Sequence, residues 1–373
     1  MKISIIHPEP AYPTVSGGQN RTWNIAKHFA KKNDVTFLAY TGKIAQNSQT
    51  NIHNINYVLR KHERTLGDKL FRRFVKYTLL DRYFKYKNHP FFYPSYVRFP
   101  RKLDSDLIIT VHSYHFLPTW LAMRNKKIPL ILDQQNVESD LFPGTLKAEK
   151  FALKHADFVT CCSEEDRRKM IAMVPAVADK SMVIENGVDT AAADAAVSER
   201  SRIRTELGVT DDDVVFCFHG SYKYHPNTEA FEYILDTLQG FNVILFGRDC
   251  PKERRGTIQS IGCVDDPLAY IHACDVGIVP LTKGSGTRLK ILEYLACSKP
   301  VISTPKGAEG LLVQDGTDIL LAPRDEFKEK MRYLQEHAEL RKRLGDNGRM
   351  LVEKRYEWEA ILEKYERVVE GVW

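Results

Sequence analysis

The sequence predicts an α/β protein made of two parallel-sheet halves of the Rossmann-like kind, and three observations carry that reading. Its 373 residues exceed what one hydrophobic core usually organises. Short β-rich apolar runs alternate with amphipathic stretches, which is the pattern of βα units around a parallel sheet. The alternation pauses once near the middle of the chain and then restarts.

Strands of the first half are expected at Ile3 to Ile6, Val35 to Ala39, Leu107 to Val111, Leu130 to Asp133 and Phe158 to Cys161. Between the first two, Trp23, Ala26, Phe29 and Ala30 fall at helical spacing and give one apolar face. The pause comes at Val183-Ile184-Glu185-Asn186-Gly187-Val188-Asp189, followed by the Ala- and Asp-rich stretch Thr190 to Ala196, whose small polar character suits an interdomain linker. Strands of the second half follow at Val214 to Phe218, Val243 to Phe246, Val276 to Pro280 and Val301 to Ser303. Near the end, Trp358, Ile361, Leu362, Tyr365 and Val368 or Val369 recur at helical intervals and predict a closing helix. The expected division is 1–189, 190–355 and a closing helix over 356–373.

Composition narrows the class. Apolar (43%) and charged (27%) fractions are those of soluble globular proteins. The N-terminus enters a strand-like run at once, without the pattern of a secretion signal, and no stretch is apolar for the ~20 residues that cross a bilayer. The seven cysteines are odd in number and scattered, Cys161-Cys162 being adjacent, so reduced core thiols and a cytoplasmic location are expected. A net charge of +6 is modest for this length.

One segment has the makings of an anion site. The strand from Asp275 to Leu281 runs into Thr282-Lys283-Gly284-Ser285-Gly286, after which Leu289, Ile291, Leu292 and Leu295 mark a helix. Glycines let the backbone approach a ligand, and the first turn of a helix offers unpaired amides with the positive end of the dipole. Arg288 and Lys290 add full charges, which a departing diphosphate needs. Glu293, further into the helix, is placed to accept ribose hydroxyls as carboxylates do in dinucleotide sites. The plainer alternative is a helix start whose glycines only turn the chain. A nicotinamide site is disfavoured, because Leu289 stands where the third glycine of that fingerprint belongs and the segment lies far from the first βα turn.

The stretch from Gly262 to Leu311, with Val264-Asp265-Asp266, Gly284-Ser285-Gly286-Thr287-Arg288-Leu289-Lys290-Ile291-Leu292-Glu293, Lys299-Pro300-Val301-Ile302 and Gly307-Ala308-Glu309-Gly310-Leu311, closely resembles glycosyltransferase family 4. Ser16-Gly17-Gly18 is similar to the family's N-terminal glycine loop, Ala156-Asp157 with Ser163-Glu164 to its mid-chain strand, and Asn186-Gly187-Val188-Asp189 to its interdomain junction. The resemblance implies a GT-B fold: two Rossmann-like domains facing a central cleft, with a C-terminal helix crossing back to the N-terminal domain. It implies a retaining, metal-independent transferase using a UDP- or GDP-activated sugar as substrate, with no cofactor. By that carry-over the backbone near Gly262 and Cys263 meets the base, Glu293 the ribose, Gly286 and Thr287 the nucleotide sugar, and Gly17 and Gly18 the diphosphate. A loop that only needs left-handed torsions is the alternative for Gly17-Gly18.

This chain departs from the family in ways that redistribute its charge. Ser285 stands where the family has the first of two glutamates, leaving Glu293 alone. Gly220-Ser221 stands where a Gly-Arg is usual, with Asn227 near the expected lysine, so the positive charge moves to Arg288 and Lys290. In family terms the leaving phosphate takes the acceptor's proton while these two hold its charge.

His112 closes the strand Leu107 to Val111, and Asp106 to His115 resembles the segment that presents a histidine to the donor sugar. His112 is preferred over His115 because it lies nearer the carboxyl end of the strand, where open α/β sheets place ligands. Glu138 resembles a cleft-facing position and is a candidate acceptor contact, although a helix-initiating Asn136 with a first-turn acid accounts for the same residues. Asp211-Asp212-Asp213 has the spacing of a metal-binding motif but reads better as an acidic turn, and no residue cluster suggests a bound metal.

Between Arg60 and Lys102, basic residues outnumber acidic ones, and Leu66, Leu70, Phe74 and Tyr77 form a helical stripe. That composition fits contact with anionic lipid head groups, which suits a lipid-linked acceptor on the membrane's inner face, or a helix packed on its own sheet. Nucleic acid is disfavoured, since no binding module accompanies the cluster. The functions in view are therefore transfer of a sugar to a glycan or lipid-linked acceptor, a non-catalytic glycan-binding or partner subunit of the same fold, and a sugar-nucleotide epimerase.

Overall fold

The computed structural model describes residues 1–14, 16–41, 46–61, 94–284 and 288–372. Ser285, Gly286 and Thr287, and most of the basic aromatic segment, residues 62–93, lie outside the described residues. The chain forms two compact units, Met1–Glu185 with Ile361–Trp373, and Asn186–Ala360. These boundaries fall at 185/186 and 360/361, where the sequence placed them at 189/190 and 355/356.

The first unit is built on an eight-stranded sheet in the order β3-β4-β2-β1-β5-β6-β7-β8. Its strands are β1 (Lys2–His7), β2 (Asp34–Thr41), β3 (Ser48–Ile52), β4 (Ile55–Lys61), β5 (Leu107–Val111), β6 (Leu130–Gln134), β7 (Phe158–Cys161) and β8 (Ser181–Val183). All neighbours pair parallel except β3 with β4. Every residue of β5 is buried, as expected of a parallel strand covered on both faces. Helix α1 (Gly17–Phe29) follows β1, and Ser16, in extended conformation, caps it by accepting the Gln19 amide. Its Trp23, Ala26 and Phe29 are buried, and Ala30 is the residue that ends it.

The second unit carries a seven-stranded sheet in the order β11-β12-β10-β9-β13-β14-β15. The strands are β9 (Val215–His219), β10 (Asn242–Phe246), β11 (Lys252–Arg255), β12 (Ile258–Gly262), β13 (Val276–Val279), β14 (Val301–Ser303) and β15 (Leu320–Leu321). Only β11 runs antiparallel to its neighbour. The helices that matter for the site are α2 (His225–Thr237), after β9, and α3 (Leu289–Ala296), after β13. The closing helix α4 spans Trp358–Val372.

Each sheet reverses its winding once. In the first, β1 lies between β2 and β5; in the second, β9 lies between β10 and β13. Open α/β sheets bind ligands outside the carboxyl ends of strands at such switch points. Those ends are His7 with His112, and His219 with the loop leading from β13 into α3.

The stretch Thr190 to Ala196 is not a linker but a helix of the second unit. Asp189 caps it by accepting the Ala192 amide at 2.8 Å, and Ala193 and Ala196 are buried. Alanine is the strongest helix former, so the small-residue composition read as a linker is a capped helix. Cys161, Cys162, Cys217, Cys274 and Cys297 are buried, as expected of core thiols, but Cys250 is half-buried and Cys263 is exposed. Among the described residues no helix is long and apolar enough to cross a membrane.

Candidate functional site

The carboxyl edge of the second sheet assembles the charged residues singled out in the sequence. Arg288 is the residue just before α3 and is buried. A Cβ added at Gly284, whose φ is +113°, would lie 3.0 Å from Arg288 Nη2 and 3.2 Å from the Tyr224 hydroxyl, so the guanidinium lies close against Gly284. Two residues on, Lys290 Nζ donates to Asn227 Oδ1 at 2.8 Å and stands 3.9 Å from the centroid of the Phe218 ring. Burial, and then the charge of Arg288, push the Lys290 ammonium well below its usual range. Two cations and the start of a helix thus converge where a polyanion would be neutralised.

Glu293 follows in α3. Its Oε2 lies 3.2 Å from His219 Nε2, at the end of β9. Burial raises the Glu293 carboxyl to about 7, against the pull of Lys290. Burial and Lys290 together hold His219 at about 3, so its imidazole is neutral near pH 7.

Beside these, the loops after β9 and β10 meet backbone to backbone. A Cβ at Gly247, with φ +138°, would fall 2.2 Å from the Gly220 carbonyl oxygen, and Gly247 N–H donates to the Gly262 carbonyl at 2.9 Å. Only glycine fits at Gly247. Cys263, next in chain after Gly262, is exposed on this edge. The loop before α3 is held from below: Glu229 of α2 accepts the Thr282 hydroxyl at 2.8 Å and Arg324 Nη1 at 3.1 Å, while Arg324 Nε donates to the Pro280 carbonyl.

At the carboxyl edge of the first sheet, His112 sits just past β5 with φ +66°, a conformation rare outside glycine. Its Nδ1 meets Glu138 Oε1 at 2.7 Å, and its own N–H donates to the Asp133 carbonyl at 3.1 Å. Glu138 opens a short helix, Glu138–Leu141, whose preceding residue is Val137, not Asn136. Its first amides, those of Glu138 and Ser139, go to the Glu149 carboxylate at 2.8 and 3.0 Å. His115, in contrast, has its ring packed against Tyr40 and Tyr96 and is 4% exposed.

Gly17 and Gly18 open α1 rather than forming a loop, and neither has positive φ. Gly18 is glycine for another reason: a Cβ there would lie 2.4 Å from Gln135 Oε1. Gln135 Nε2 is committed to Thr22 Oγ1 at 2.9 Å and the Gly18 carbonyl at 3.3 Å. Asp213 of the acidic run accepts the Thr210 amide and hydroxyl, both at 2.8 Å, which makes it the lock of a turn.

Residues 15–192 match the family described as Glycosyltransferase Family 4, and residues 213–337 match Glycosyl transferases group 1. The chain is a glycosyltransferase, with a family 4 domain followed by a group 1 domain. An uncharacterised glycosyltransferase of Methanocaldococcus jannaschii is 25% identical over 72% of this chain and 77% of its own. A probable sucrose-phosphate synthase of Thermosipho melanesiensis is 24% identical over 61% of this chain and 58% of its own. Among solved structures, the fold matches Anabaena HepE in complex with UDP and glucose (TM-score 0.75, 15% identity, 99% of each chain). It also matches the sucrose-phosphate synthase of Thermosynechococcus elongatus (TM-score 0.76, 16% identity, 100% of this chain and 99% of that one). These likenesses make the two sheets a GT-B fold.

In this glycosyltransferase, sequence reasoning found Arg288, Lys290, Glu293 and His112 but missed what holds them. His219, Tyr224, Phe218 and Glu229 went unnoticed, as did the pairing of His112 with Glu138. For His219 a signal existed: it ends a strand, the same position that singled out His112. For Phe218, buried in β9, nothing in the sequence separates a cation's platform from ordinary core.

Proposed function

We propose that this glycosyltransferase moves a sugar from a UDP- or GDP-linked donor to a glycan or lipid-linked acceptor, with retention at the anomeric carbon. The observation that carries the reading is the gathering of Arg288 against Gly284, Lys290 between Asn227 and the Phe218 ring, and Glu293 within the one short helix Leu289–Ala296 and the residue before it. Anabaena HepE, whose fold is similar, was solved with UDP and with UDP-glucose, which favours a uridine donor. Arg288 and Lys290 take the negative charge that builds as the bond from C1 to the phosphate oxygen breaks. The acceptor hydroxyl forms the new bond to C1 and gives its proton to the departing phosphate. Since side chains supply this neutralisation, no metal is required.

Glu293 accepts the ribose hydroxyls, and the backbone near Gly262 and Cys263 meets the base. His112, oriented through Nδ1 by Glu138, presents Nε2 to hydroxyls of the sugar or acceptor. The basic aromatic segment between Arg60 and Lys102 supplies contact with an anionic membrane surface on the cytoplasmic side, which suits a lipid-linked acceptor.

The test is an assay with a panel of UDP- and GDP-sugars in EDTA, with the anomer of the product read by NMR. Transfer from one donor with retained configuration, lost in Glu293→Ala, is the expected result. Inversion, a need for added metal, or full activity in Glu293→Ala would each contradict the assignment.

A further inference from the structure

His219 is an odd residue for its place. It ends a strand whose other members, Val215, Phe216, Cys217 and Phe218, are fully buried, and only 11% of its side chain is exposed. The ring is fixed on several sides. It stacks on Phe246 with centroids 5.4 Å apart and planes 14° from parallel, and Tyr294 stands edge-on at 5.1 Å and 90°. The Tyr294 hydroxyl also accepts the His219 backbone N–H at 3.1 Å.

A residue needed only for packing here would be apolar. Instead an imidazole is buried with its Nε2 lacking an aligned hydrogen-bond partner among the described residues, an arrangement that packing alone does not favour. That nitrogen lies 3.2 Å from Glu293 Oε2, on a side chain that is 29% exposed, so a small turn of the carboxylate completes the bond.

We propose that His219 is a positioning residue for ribose recognition: its Nε2–H holds one oxygen of Glu293, so that the other faces the nucleotide and accepts the ribose hydroxyls. This rests on the reading of Glu293 as ribose anchor given above. A free glutamate in the middle of a helix samples several rotamers, and fixing it before the ligand arrives removes that entropy cost from binding. His219 touches no substrate atom in this arrangement and acts through Glu293 alone.

The experiment is calorimetric titration of UDP, GDP and their 2′,3′-dideoxy analogues into the wild-type chain, His219→Leu and His219→Gln. The wild type should prefer the ribonucleotide. In His219→Leu that preference should fall about tenfold, the loss of one hydrogen bond to a charged group, while affinity for the dideoxy analogue stays unchanged. Glutamine reaches its amide N–H toward the same point and should restore most of the preference. If His219→Leu keeps the preference, or loses dideoxy affinity in step with ribonucleotide affinity, His219 only packs and the proposal falls. If the wild type itself does not distinguish ribose from dideoxyribose, the reading of Glu293 fails first and takes this inference with it.

Discussion

Lys290 Nζ donates to Asn227 Oδ1 at 2.8 Å while standing 3.9 Å over the Phe218 ring. Asn227 in turn donates from Nδ2 to the Ser221 carbonyl at 2.9 Å, so one amide ties the cation of α3 to the loop after β9. Asn227→Ala should free the ammonium without removing its charge. With one hydrogen bond worth about 1 kcal/mol, KM for the donor is expected to rise roughly fivefold and kcat to change less. Steady-state kinetics over donor concentration measure both.

Glu293 links binding to pH. Its carboxyl is raised by burial from the ordinary 4.5 to about 7, so ionising it costs the folded chain more than the unfolded one. The stabilisation from the neutral form is complete below about pH 4.5, fades between 4.5 and 7, and is gone above 7. Glu293→Gln should therefore melt above the wild type at pH 8 and converge with it near pH 5. With Glu293 as the ribose anchor proposed above, nucleotide affinity runs the opposite way: in the wild type it should drop as pH falls below 7 and stay flat in Glu293→Gln. Thermal melts and titrations across pH 5 to 8 read the two trends.

Arg21 and Asp133 form a buried ion pair in the first unit, with Nη2 to Oδ1 at 2.8 Å and side chains 1% and 0% exposed. Burial alone would raise the Asp133 carboxyl, but the charge of Arg21 and hydrogen bonds from Arg21, Thr160 and Gln135 outweigh it and lower it. Asp133→Asn leaves the guanidinium without its counter-charge and should cost about 3–5 kcal/mol in urea unfolding. Because the folded value is lowered, the wild-type pair stabilises above the ordinary carboxyl range and loses that contribution as pH falls through the folded value. Asp133→Asn should lack this part of the acid dependence.

Gly18→Ala should destabilise by roughly 1–3 kcal/mol, since the new methyl meets Gln135 Oε1 at 2.4 Å and displaces an amide already bonded to Thr22 and to Gly18 itself. Adding Gln135→Ser should recover part of the loss. Calorimetric melts of the single and double variants decide whether Gly18 is glycine for this approach or for another reason.

The fold was legible where burial is strong and obscure where it is not. Strands such as Leu107–Val111 and Val243–Phe246 announce themselves as apolar runs because both faces are covered. The edge strands Ser48–Ile52 and Lys252–Arg255, Ser-Gln-Thr-Asn-Ile and Lys-Glu-Arg-Arg, carry almost no apolar residues, since solvent takes one side, and they were invisible. Thr190 to Ala196 misled because small residues suit both a tether and a helix, and the cap at Asp189 was the deciding signal. In the site, charges beside glycines could be read directly. The supports could not: His219 against Glu293 and Glu229 under Thr282 join residues far apart in sequence, and only the crossing of β9, α2 and α3 brings them together.

On the function proposed above, the start of α3 binds the diphosphate of a nucleotide sugar through Lys290 and Arg288. Titration calorimetry of UDP and GDP at pH 8 into the wild type and Lys290→Met tests it most directly. One of the two nucleotides should bind the wild type and lose at least about tenfold in affinity in Lys290→Met, as removal of a buried charge contact predicts, while the corresponding nucleoside, which lacks the diphosphate, binds both alike. Equal diphosphate affinity in the two proteins, or no binding of either nucleotide to the wild type, would contradict it.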